Sequence, residues 1–488
     1  MSLTVAAIVA VSFATVAIGA YGLRLARTTS DFLVASRSVS PRWNAAAISG
    51  EYLSAASFLG VAGLVLKDGV DVLWYPVGFA AGYLALLLFV AGPLRRSGAF
   101  TLPDFCELRL GSRRLRKLAT AFVVFIGWLY LVPQMQGAGL TLQTVTGAPY
   151  WLGCVVVAVV VTGNVALGGM RAVTFVQAFQ YWLKLTALAV PMAFLLMRWQ
   201  GDRRPALAGP AAADWLLPGG DLFGTYSLIL ATFLGTMGLP HVLVRFYTNP
   251  DGAAARRTTL VVLGLVGLFY LFPALYGALG RVYLPELVAR GRTDAVVLLL
   301  PGAALGGGAV SDMLSALVAA GAFAAFLSTS SGLMTSVAGV LSTDVLGRGS
   351  VRDFRRAAVV AGIVPLVLAL KVSGLNVSQV VGLAFAVAAS SFCPLLVLGI
   401  WWRGLTAPGA AAGITVGGGA AVGAVLITVL GGPPAGGWTS ALVGQPAAWT
   451  VPLAFAVMIG VSLATRDRIP RGVGAVMLRL HAPDALRL

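Results

Sequence analysis

The sequence predicts an all-α integral membrane protein with about thirteen transmembrane helices. Hydrophobic residues make up 58% of its 488 residues, charged residues make up only 10%, and the mean hydropathy is +0.90. A water-soluble domain carries about 25% charged residues, so this chain needs a lipid bilayer as its solvent. In lipid, an apolar chain satisfies its backbone hydrogen bonds internally by forming helices.

The transmembrane helices are predicted from apolar runs of about 20 residues, the length that crosses the hydrocarbon core. The first run has no basic segment before it and no small-residue cleavage site, so we expect a retained span and not a signal peptide. Residues 294–310 are short and rich in Gly, and we expect an external or interfacial segment there. The runs are residues 3–23, 45–66, 72–92, 118–139, 149–168, 174–197, 226–247, 258–280, 313–340, 355–372, 376–400, 407–430 and 447–465.

The basic residues predict the orientation of these helices. Most of the 34 Lys and Arg residues lie in the C-terminal tail and in one set of alternate loops, which includes the loop 93–117. Because Lys and Arg are retained on the cytoplasmic side, we expect a multi-pass protein of the plasma or inner membrane, with its N-terminus outside and its C-terminus in the cytoplasm. The net charge of +17 is spread over short loops and forms no single patch. We therefore expect membrane lipid and no nucleic acid around the protein.

A membrane enzyme and a sensor are both disfavoured. The chain has two histidines, His241 and His481, too few for a bis-histidine haem together with a catalytic cluster. Its three cysteines lie far apart and fit no metal spacing or disulfide framework. A sensor would need an output domain, and the tail after residue 465 is short. We therefore expect a transporter or a channel.

Two spans contain the signals of a helix break. The second includes "ISGEYLSAASFLGVAG", which is rich in small residues and carries Glu51. The seventh includes "FLGTMGLPHVLVRF", where Gly235, Gly238 and Pro240 interrupt a helix at mid-membrane. Transporters with inverted repeats place broken helices at corresponding positions, because unwound backbone exposes groups that bind ions. Since these two spans are five apart, spans 2–6 and 7–11 are predicted to form two five-helix repeats, and alternating access is favoured over a channel.

Several segments carry a resemblance to a known family. The motifs "GEYLSAASFLGVAG", "LVPQMQGAG", "GGMRAVTFVQ", "GTMGLPHVLVRFYT" and "VGLAFAVAAS" resemble, in order and spacing, those of the sodium/solute symporter family, in particular its cation/acetate (short monocarboxylate) permease branch. The resemblance covers about residues 30 to 405. It implies sodium-coupled symport of a small monocarboxylate, such as acetate, propionate or pyruvate, by alternating access, with Na⁺ as the coupling ion.

The resemblance also implies how the helices are arranged. It implies a LeuT-type core of five plus five helices in inverted repeats, with one helix before it and two after. Residues 1–44 then form an outer helix and a cytoplasmic loop. Residues 45–400 form the core, with repeats at 45–197 and 226–400, and residues 401–488 form two helices and a short cytoplasmic tail.

The apolar segment "FAAFLSTSSGLMTS" holds six hydroxyl side chains and is the candidate for a cation site. Side chains three and four residues apart share a helix face, so the hydroxyls of Ser328 and Thr329 are expected beside the carbonyl of Ala325. Neutral oxygens suit a monovalent cation that must also leave. The resemblance implies that this is the family's sodium site, completed by the carbonyls of Gly50 and Leu53. The other hydroxyls are expected to pack or to bond their own helix, as at Thr335 and Ser336.

The resemblance places the substrate in a central cavity between the two broken spans. A small carboxylate needs donors, and the unwound backbone and hydroxyl of "GTMGLP" can supply them. For each polar candidate the alternative is an interhelical hydrogen bond. His241 and Arg245 are expected in the helix after the break, with Arg245 reaching the cytoplasmic face. The substrate candidates are Ser54, Ala56, Ser57, Gln134, Thr236 and Gly238, with Gln136 as a neighbour.

Glu51 and Lys184 are the candidates for coupling or gating, together with Pro240 at the helix break. Placing either charge inside a membrane costs roughly 2.5–3.5 kcal/mol on insertion scales. In the family that this chain resembles, an Asp is usual at the position of Glu51 and a Lys at the position of Gln180. Here the acid is one methylene longer, and the Lys lies four residues later on the same helix face. We hypothesise that Glu51 and Lys184 interact, directly or through water.

Several alternatives remain open at the level of the sequence. Other branches of the family carry proline, sugars or vitamins. A proton could replace Na⁺, in which case titration of Glu51 would dominate the coupling. A channel and a sensor are weaker alternatives, and a small membrane partner subunit could be required.

Overall fold

The computed structural model describes residues 3–23, 39–205, 215–216, 221–347, 350–371, 377–431 and 436–483. Every regular element in these residues is helical. Residues 24–38, which make up most of the predicted first cytoplasmic loop, lie outside the described residues.

The first half of the chain begins with one outer helix and continues with a span that is broken in its middle. One further span, made of two helices joined by a π-helical turn, follows a 3₁₀ turn. A short helix and two long helices complete this half. The helices are α1 (Leu3–Leu23), α2 (Pro41–Tyr52), α3 (Val61–Asp68, preceded by a π-helical turn at Ala56–Gly60), α4 (Trp74–Ala85, preceded by a 3₁₀ turn at Gly69–Leu73), α5 (Ala91–Arg96, preceded by a π-helical turn at Leu86–Val90), α6 (Leu102–Leu110), α7 (Arg113–Thr146) and α8 (Tyr150–Gly201).

The second half begins with another broken span and ends with the helices that follow the core. Its helices are α9 (Leu222–Gly238), α10 (Pro240–Phe246), α11 (Gly252–Tyr283), α12 (Glu286–Ala289), α13 (Val296–Leu305, preceded by a 3₁₀ turn at Thr293–Ala295), α14 (Ala309–Val340, followed by a π-helical turn at Leu341–Val345), α15 (Val351–Lys371), α16 (Val377–Trp401), α17 (Ala407–Gly413), α18 (Gly419–Gly431, preceded by a π-helical turn at Ile414–Gly418), α19 (Gly437–Gly444), α20 (Ala447–Ala464, followed by a 3₁₀ turn at Arg466–Arg468) and α21 (Val473–His481).

Local sequence explains where α6 and α7 begin and where α7 ends. Thr101 and Asp104 form a capping box at the start of α6, in which each side chain accepts a hydrogen bond from the other residue's backbone amide. Ser112 caps α7 in a similar way. At the other end of α7, Gly147 takes a φ of 73°, a conformation that glycine adopts without strain.

All the predicted apolar runs fall on helices, but the number of spans depends on the way in which the longest helical stretches are divided. By length and composition, nine helical stretches of the described chain could cross a membrane, or ten if the bent pair α9 and α10 forms one span. Some stretches contain two predicted spans. Helix α8 is 52 residues long, and Gly169, with a φ of 58°, bends it between the fifth and sixth runs. The count of thirteen therefore stays a prediction.

Residues 293–305 form a short apolar helix that is too short for a further span. Helix α13 has 10 residues, about 15 Å in length, roughly half of the hydrocarbon core. It packs against α11 and α14. The three glycines that follow have φ values of 77°, 84° and 97°, which allow the chain to turn directly into α14.

Helix α14 lies at the centre of the molecule. Every residue from Val318 to Val340 is buried, and the helix packs against α1, α2, α7, α8 and α15. Its many Ala, Gly, Ser and Thr side chains allow several helices to approach closely. This packing places the hydroxyl-rich segment of α14 opposite the break between α2 and α3.

Candidate cation and solute site

The site is built around the break between α2 and α3, where Leu53 and Ser54 leave helical geometry. Leu53 has φ −76° and ψ 87°, so carbonyls at the end of α2 lose the amide donors of a next turn. The amide of Ala55 donates instead to Oε1 of Gln134 at 2.9 Å. Gln134, a substrate candidate from the sequence, therefore caps the broken helix.

Two hydroxyls of α14 bind the carbonyls of this break. Ser328 Oγ donates to the Gly50 carbonyl at 2.6 Å and lies 3.1 Å from the Ala325 carbonyl. Thr329 Oγ1 donates to the Glu51 carbonyl at 2.6 Å. Both side chains are fully buried. The structure thus brings the predicted cation ligands of α2 and α14 together.

The ammonium group of Lys184 lies among the same oxygens. Its Nζ donates to the carbonyls of Gly50 at 2.5 Å and Leu53 at 2.7 Å, and to Ser328 Oγ at 3.0 Å. An ammonium group has three donors, and these three bonds use all of them. The side chain is fully buried. These neutral oxygens suit a monovalent cation, since they surround a positive charge here.

Glu51 forms an ion pair with Arg245. Its Oε2 accepts from Arg245 Nε at 2.6 Å, and both side chains are 1% exposed. The expectation of a direct Glu51–Lys184 pair is wrong, because Lys184 directs its donors to backbone and hydroxyl oxygens, whereas an interaction through water stays a prediction. A Cβ at Gly332 would overlap the Glu51 carboxyl group, so this glycine leaves room for the longer acid.

The expectation that Arg245 reaches the cytoplasmic face is also wrong. Its guanidinium group donates to Thr174 Oγ1 at 2.8 Å and to Oε1 of Gln177, in addition to Glu51. The Gln177 amide donates to the Ser328 carbonyl at 2.7 Å. A charged group can remain buried when it is paired and its donors are satisfied, and α8 supplies these partners.

The seventh span is broken where the sequence predicts it. Helices α9 and α10 are bent by 42° at Leu239, and Pro240 opens α10 at a position where a helix needs no amide donor. A Cβ at Gly238 would overlap the Ala388 carbonyl of α16. Gly238 therefore allows α9 to pack closely on α16, a role that the sequence analysis did not identify.

A hydrogen bond joins the two breaks. Tyr52 Oη and Thr236 Oγ1 are 2.7 Å apart, and Thr236 Oγ1 donates to the Thr232 carbonyl at 2.7 Å. The hydroxyl of Tyr52 must then be the donor to Thr236. The substrate candidate Thr236 is thus held by the residue that ends α2.

An aromatic cluster, which the sequence analysis missed, surrounds this bond. Tyr52 contacts Tyr83 and Phe79 at centroid distances of 4.6 and 5.6 Å, and Phe79 stacks on Tyr270 at 5.6 Å. These residues come from α2, α4 and α11, so no local pattern in the sequence connects them. The cluster consists of Tyr52, Phe79, Tyr83, Tyr130, Tyr270 and Phe385, joined by the contacts of Phe385 with Phe79 and Tyr130.

Some polar groups in and beside the aromatic cluster have a hydrogen-bond partner among the described residues, and others have none. Ser57 Oγ lies 2.8 Å from Tyr270 Oη. Within the described chain, Tyr83 Oη and both ring nitrogens of His241 are buried and have no hydrogen-bond partner. His241 packs edge-on against Tyr130 at 5.4 Å. The remaining substrate candidates from the sequence, Ser54, Ala56 and Gln136, are also buried.

A vestibule of about 520 Å³ lies at one end of the α3–α4 connection. Its wall reaches Tyr75, which contacts Phe79 of the aromatic cluster at 6.1 Å. The polar residues of the wall are Lys67, Asp68, Asp71, Asp221, Thr225, Gln379 and Gln445.

Comparison with known families decides the class of the protein. The model of the Sodium:solute symporter family matches residues 32–417. This chain belongs to that family. A relative, the uncharacterized symporter YwcA of Bacillus subtilis (strain 168), is 33% identical over 410 residues, which cover 80% of this chain and 79% of YwcA.

Solved structures of three transporters share the fold of this symporter. A Na⁺-coupled sialic acid symporter in a substrate-bound, outward-open state has a TM-score of 0.73 at 16% identity, and the match covers 94% of this chain and 98% of that one. MHP1, a nucleobase-cation-symport-1 family transporter, has a TM-score of 0.57 at 13% identity, covering 92% and 98%. MhsT in complex with L-phenylalanine has a TM-score of 0.53 at 13% identity, covering 86% and 97%.

Family and fold together establish the general activity. The protein is a multi-pass membrane transporter with a LeuT-type core and not an enzyme. It is a symporter of a small solute, and Na⁺ is its coupling ion.

Replacing Glu51 by Gln should lower the stability of the symporter by about 3 kcal/mol, because Arg245 would remain buried without its counter-charge. Thermal unfolding of the purified protein in detergent measures the effect. Lys67→Gln is the matched control, since the Lys67–Asp68 pair is 3.6 Å long with side chains 58% and 45% exposed, and exposed pairs contribute little.

The double variant Glu51→Gln, Arg245→Met should recover part of the lost stability, because it removes the unpaired charge. An unfolding midpoint of Glu51→Gln equal to that of the wild type would contradict a structural role for this ion pair.

Proposed function

We propose that this symporter carries a small monocarboxylate, such as acetate, propionate or pyruvate, together with Na⁺. The observation that carries the substrate class is the aromatic cluster between the two breaks, where rings lie beside buried donors that have no partner in the described residues. The motifs shared with the short monocarboxylate branch support the same class.

The aromatic cluster favours a short apolar chain with a charged end. Its rings contact one another at centroid distances of 4.6 to 6.1 Å, so a solute that enters must displace rings, which favours a small solute over a large one. Tyr83 Oη and a protonated ring nitrogen of His241 are donors without partners, and a hydrogen bond to a carboxylate in a buried site is strong. Amide groups near the break complete the proposed carboxylate site, and Thr236, which donates its hydroxyl proton to the Thr232 carbonyl, positions Tyr52 beside it.

We propose that Na⁺ is coordinated by the carbonyls of Gly50, Leu53 and Ala325 and by the hydroxyls of Ser328 and Thr329. The hydrogen bonds of Ser328 and Thr329 to the α2 break support this assignment, because they hold the oxygens of two helices together. All five ligands are neutral, which suits an ion that must be released in every cycle.

We further propose that the vestibule opens to the outside of a cell membrane, with the N-terminus outside and the C-terminus in the cytoplasm. The charged residues of its wall, Lys67, Asp68, Asp71 and Asp221, lie in the predicted loops that hold few Lys and Arg residues. The vestibule then leads a solute from outside, past Tyr75, to the aromatic cluster.

Uptake into proteoliposomes tests the function directly. The purified symporter should accumulate radiolabelled acetate, propionate or pyruvate several-fold more with an inward Na⁺ gradient than with choline in place of Na⁺. Activity of the purified chain alone would also show that no partner subunit is required.

Proline and glucose serve as comparison substrates in the same vesicles. Na⁺-stimulated uptake of proline or glucose alone would refute the substrate class. Carboxylate uptake driven by a pH gradient and indifferent to Na⁺ would refute Na⁺ coupling.

Thr329→Val should raise the Na⁺ concentration for half-maximal uptake about three- to tenfold, because it removes one neutral ligand and nearly preserves volume. Thr335→Val is the matched control on the same helix, since Thr335 Oγ1 donates to the Ser331 carbonyl of its own helix at 2.6 Å. Ser328→Ala and Ser331→Ala form a second pair, because Ser331 Oγ bonds the Leu327 carbonyl at 2.7 Å. Equal Na⁺ dependence in Thr329→Val and Thr335→Val would remove Thr329 from the ion site.

Tyr83→Phe should raise the apparent KM for the carboxylate about three- to tenfold through the loss of one donor, and should leave the half-maximal Na⁺ concentration unchanged. Tyr276→Phe is the control, since Tyr276 Oη is bonded to the Leu188 carbonyl at 3.4 Å, outside the aromatic cluster. An unchanged KM in Tyr83→Phe would exclude this hydroxyl from the substrate site.

A further inference from the structure

Lys184 occupies the position that the family assigns to an ion. Three of the oxygens proposed to coordinate Na⁺, those of Gly50, Leu53 and Ser328, accept the three donors of its ammonium group. A Lys side chain carries a compact positive charge on a flexible stem. It can therefore satisfy these oxygens as a monovalent ion would, while remaining attached to α8.

The charges around the site make joint occupation by Lys184 and Na⁺ unfavourable. Glu51 is the carboxylate that acts electrostatically on Lys184, and its Oε2 is already paired with Arg245. The three hydrogen bonds that Nζ of Lys184 donates require an ammonium group, so with the Glu51–Arg245 ion pair these three residues hold one negative and two positive charges. A further cation on the same oxygens would lie next to the ammonium in a medium of low dielectric constant, where like charges repel strongly.

We propose that the ammonium group of Lys184 is a tethered competitor of Na⁺: it occupies the cation site and must leave these oxygens before Na⁺ binds there. Lys184 thereby sets the Na⁺ affinity of the symporter. This inference rests on the Na⁺ site proposed above and adds that a side chain of the protein itself, Lys184, competes for that site.

Two features of the structure give the exchange a physical basis. Lys184 satisfies carbonyls that the break leaves without amide donors, as a bound cation would. When the ammonium leaves, Oε1 of Glu51, which has no hydrogen-bond partner in the described part of the chain, offers an acceptor within the same buried cluster. The competition weakens Na⁺ binding and so makes its release easier.

Equilibrium binding of radioactive Na⁺ to the purified protein, at one fixed pH and without substrate, tests the proposal. Lys184→Met removes the charge and keeps an unbranched side chain, and it should bind Na⁺ roughly tenfold or more tightly than the wild type. Stabilisation against heat by Na⁺ should begin at a correspondingly lower concentration. Lys117→Met, at an exposed lysine of α7, is the control and should match the wild type.

Ser328→Ala in both backgrounds separates the two proposals. If Ser328→Ala weakens Na⁺ binding but Lys184→Met binds Na⁺ no more tightly than the wild type, Lys184 is not a competitor and the Na⁺ site stands. If neither substitution changes Na⁺ binding, the ion binds elsewhere and both proposals fail. Should Lys184→Met not fold, Lys184→Gln carries the same expectation with a neutral amide, and unchanged Na⁺ affinity in that variant overturns the competition.

Discussion

Carbonyl oxygens at the end of a helix that stops inside a membrane must find donors or cations, since lipid supplies neither. The break after Tyr52 creates this demand, and the surrounding helices meet it with side chains from three directions. Gln134 of α7 caps the resumed helix, Ser328 and Thr329 of α14 bind the carbonyls, and Lys184 of α8 adds a positive charge. The central position of α14 and the course of the long α8 bring these groups to one place.

Two buried cations, Arg245 and Lys184, differ in how their charges are compensated. Arg245 takes the carboxylate of Glu51 and the side chains of α8, so its charge is compensated where it lies. Lys184 is left with neutral oxygens, which satisfy its donors but do not cancel its charge. Arg245 is therefore held by an ion pair, whereas Lys184 is held by hydrogen bonds to neutral oxygens.

Local signals in the sequence predicted both breaks and the helix face of Ser328 and Thr329. Small residues, Gly238 and Pro240 act within a few residues of their own positions, and the spacing of hydroxyls on a helix is fixed by its geometry. The partners of Arg245 and Lys184 were not predictable in this way. Glu51 and Arg245 are 194 residues apart in the chain, and which of two cations reaches the carboxylate depends on how α8 and α10 pack. The aromatic cluster escaped notice for the same reason, because its members are scattered over several helices.

Two consecutive residues of the first repeat hold the bend in the second. Tyr52 bonds Thr236, which precedes the bend between α9 and α10, whereas Glu51 pairs with Arg245, which follows it. Neighbouring residues at one helix end move together, so α2 acts as a clamp with two contact points across this hinge. A change in the angle between α9 and α10 therefore strains at least one of these two contacts, which couples the shape of the second break to the end of the first.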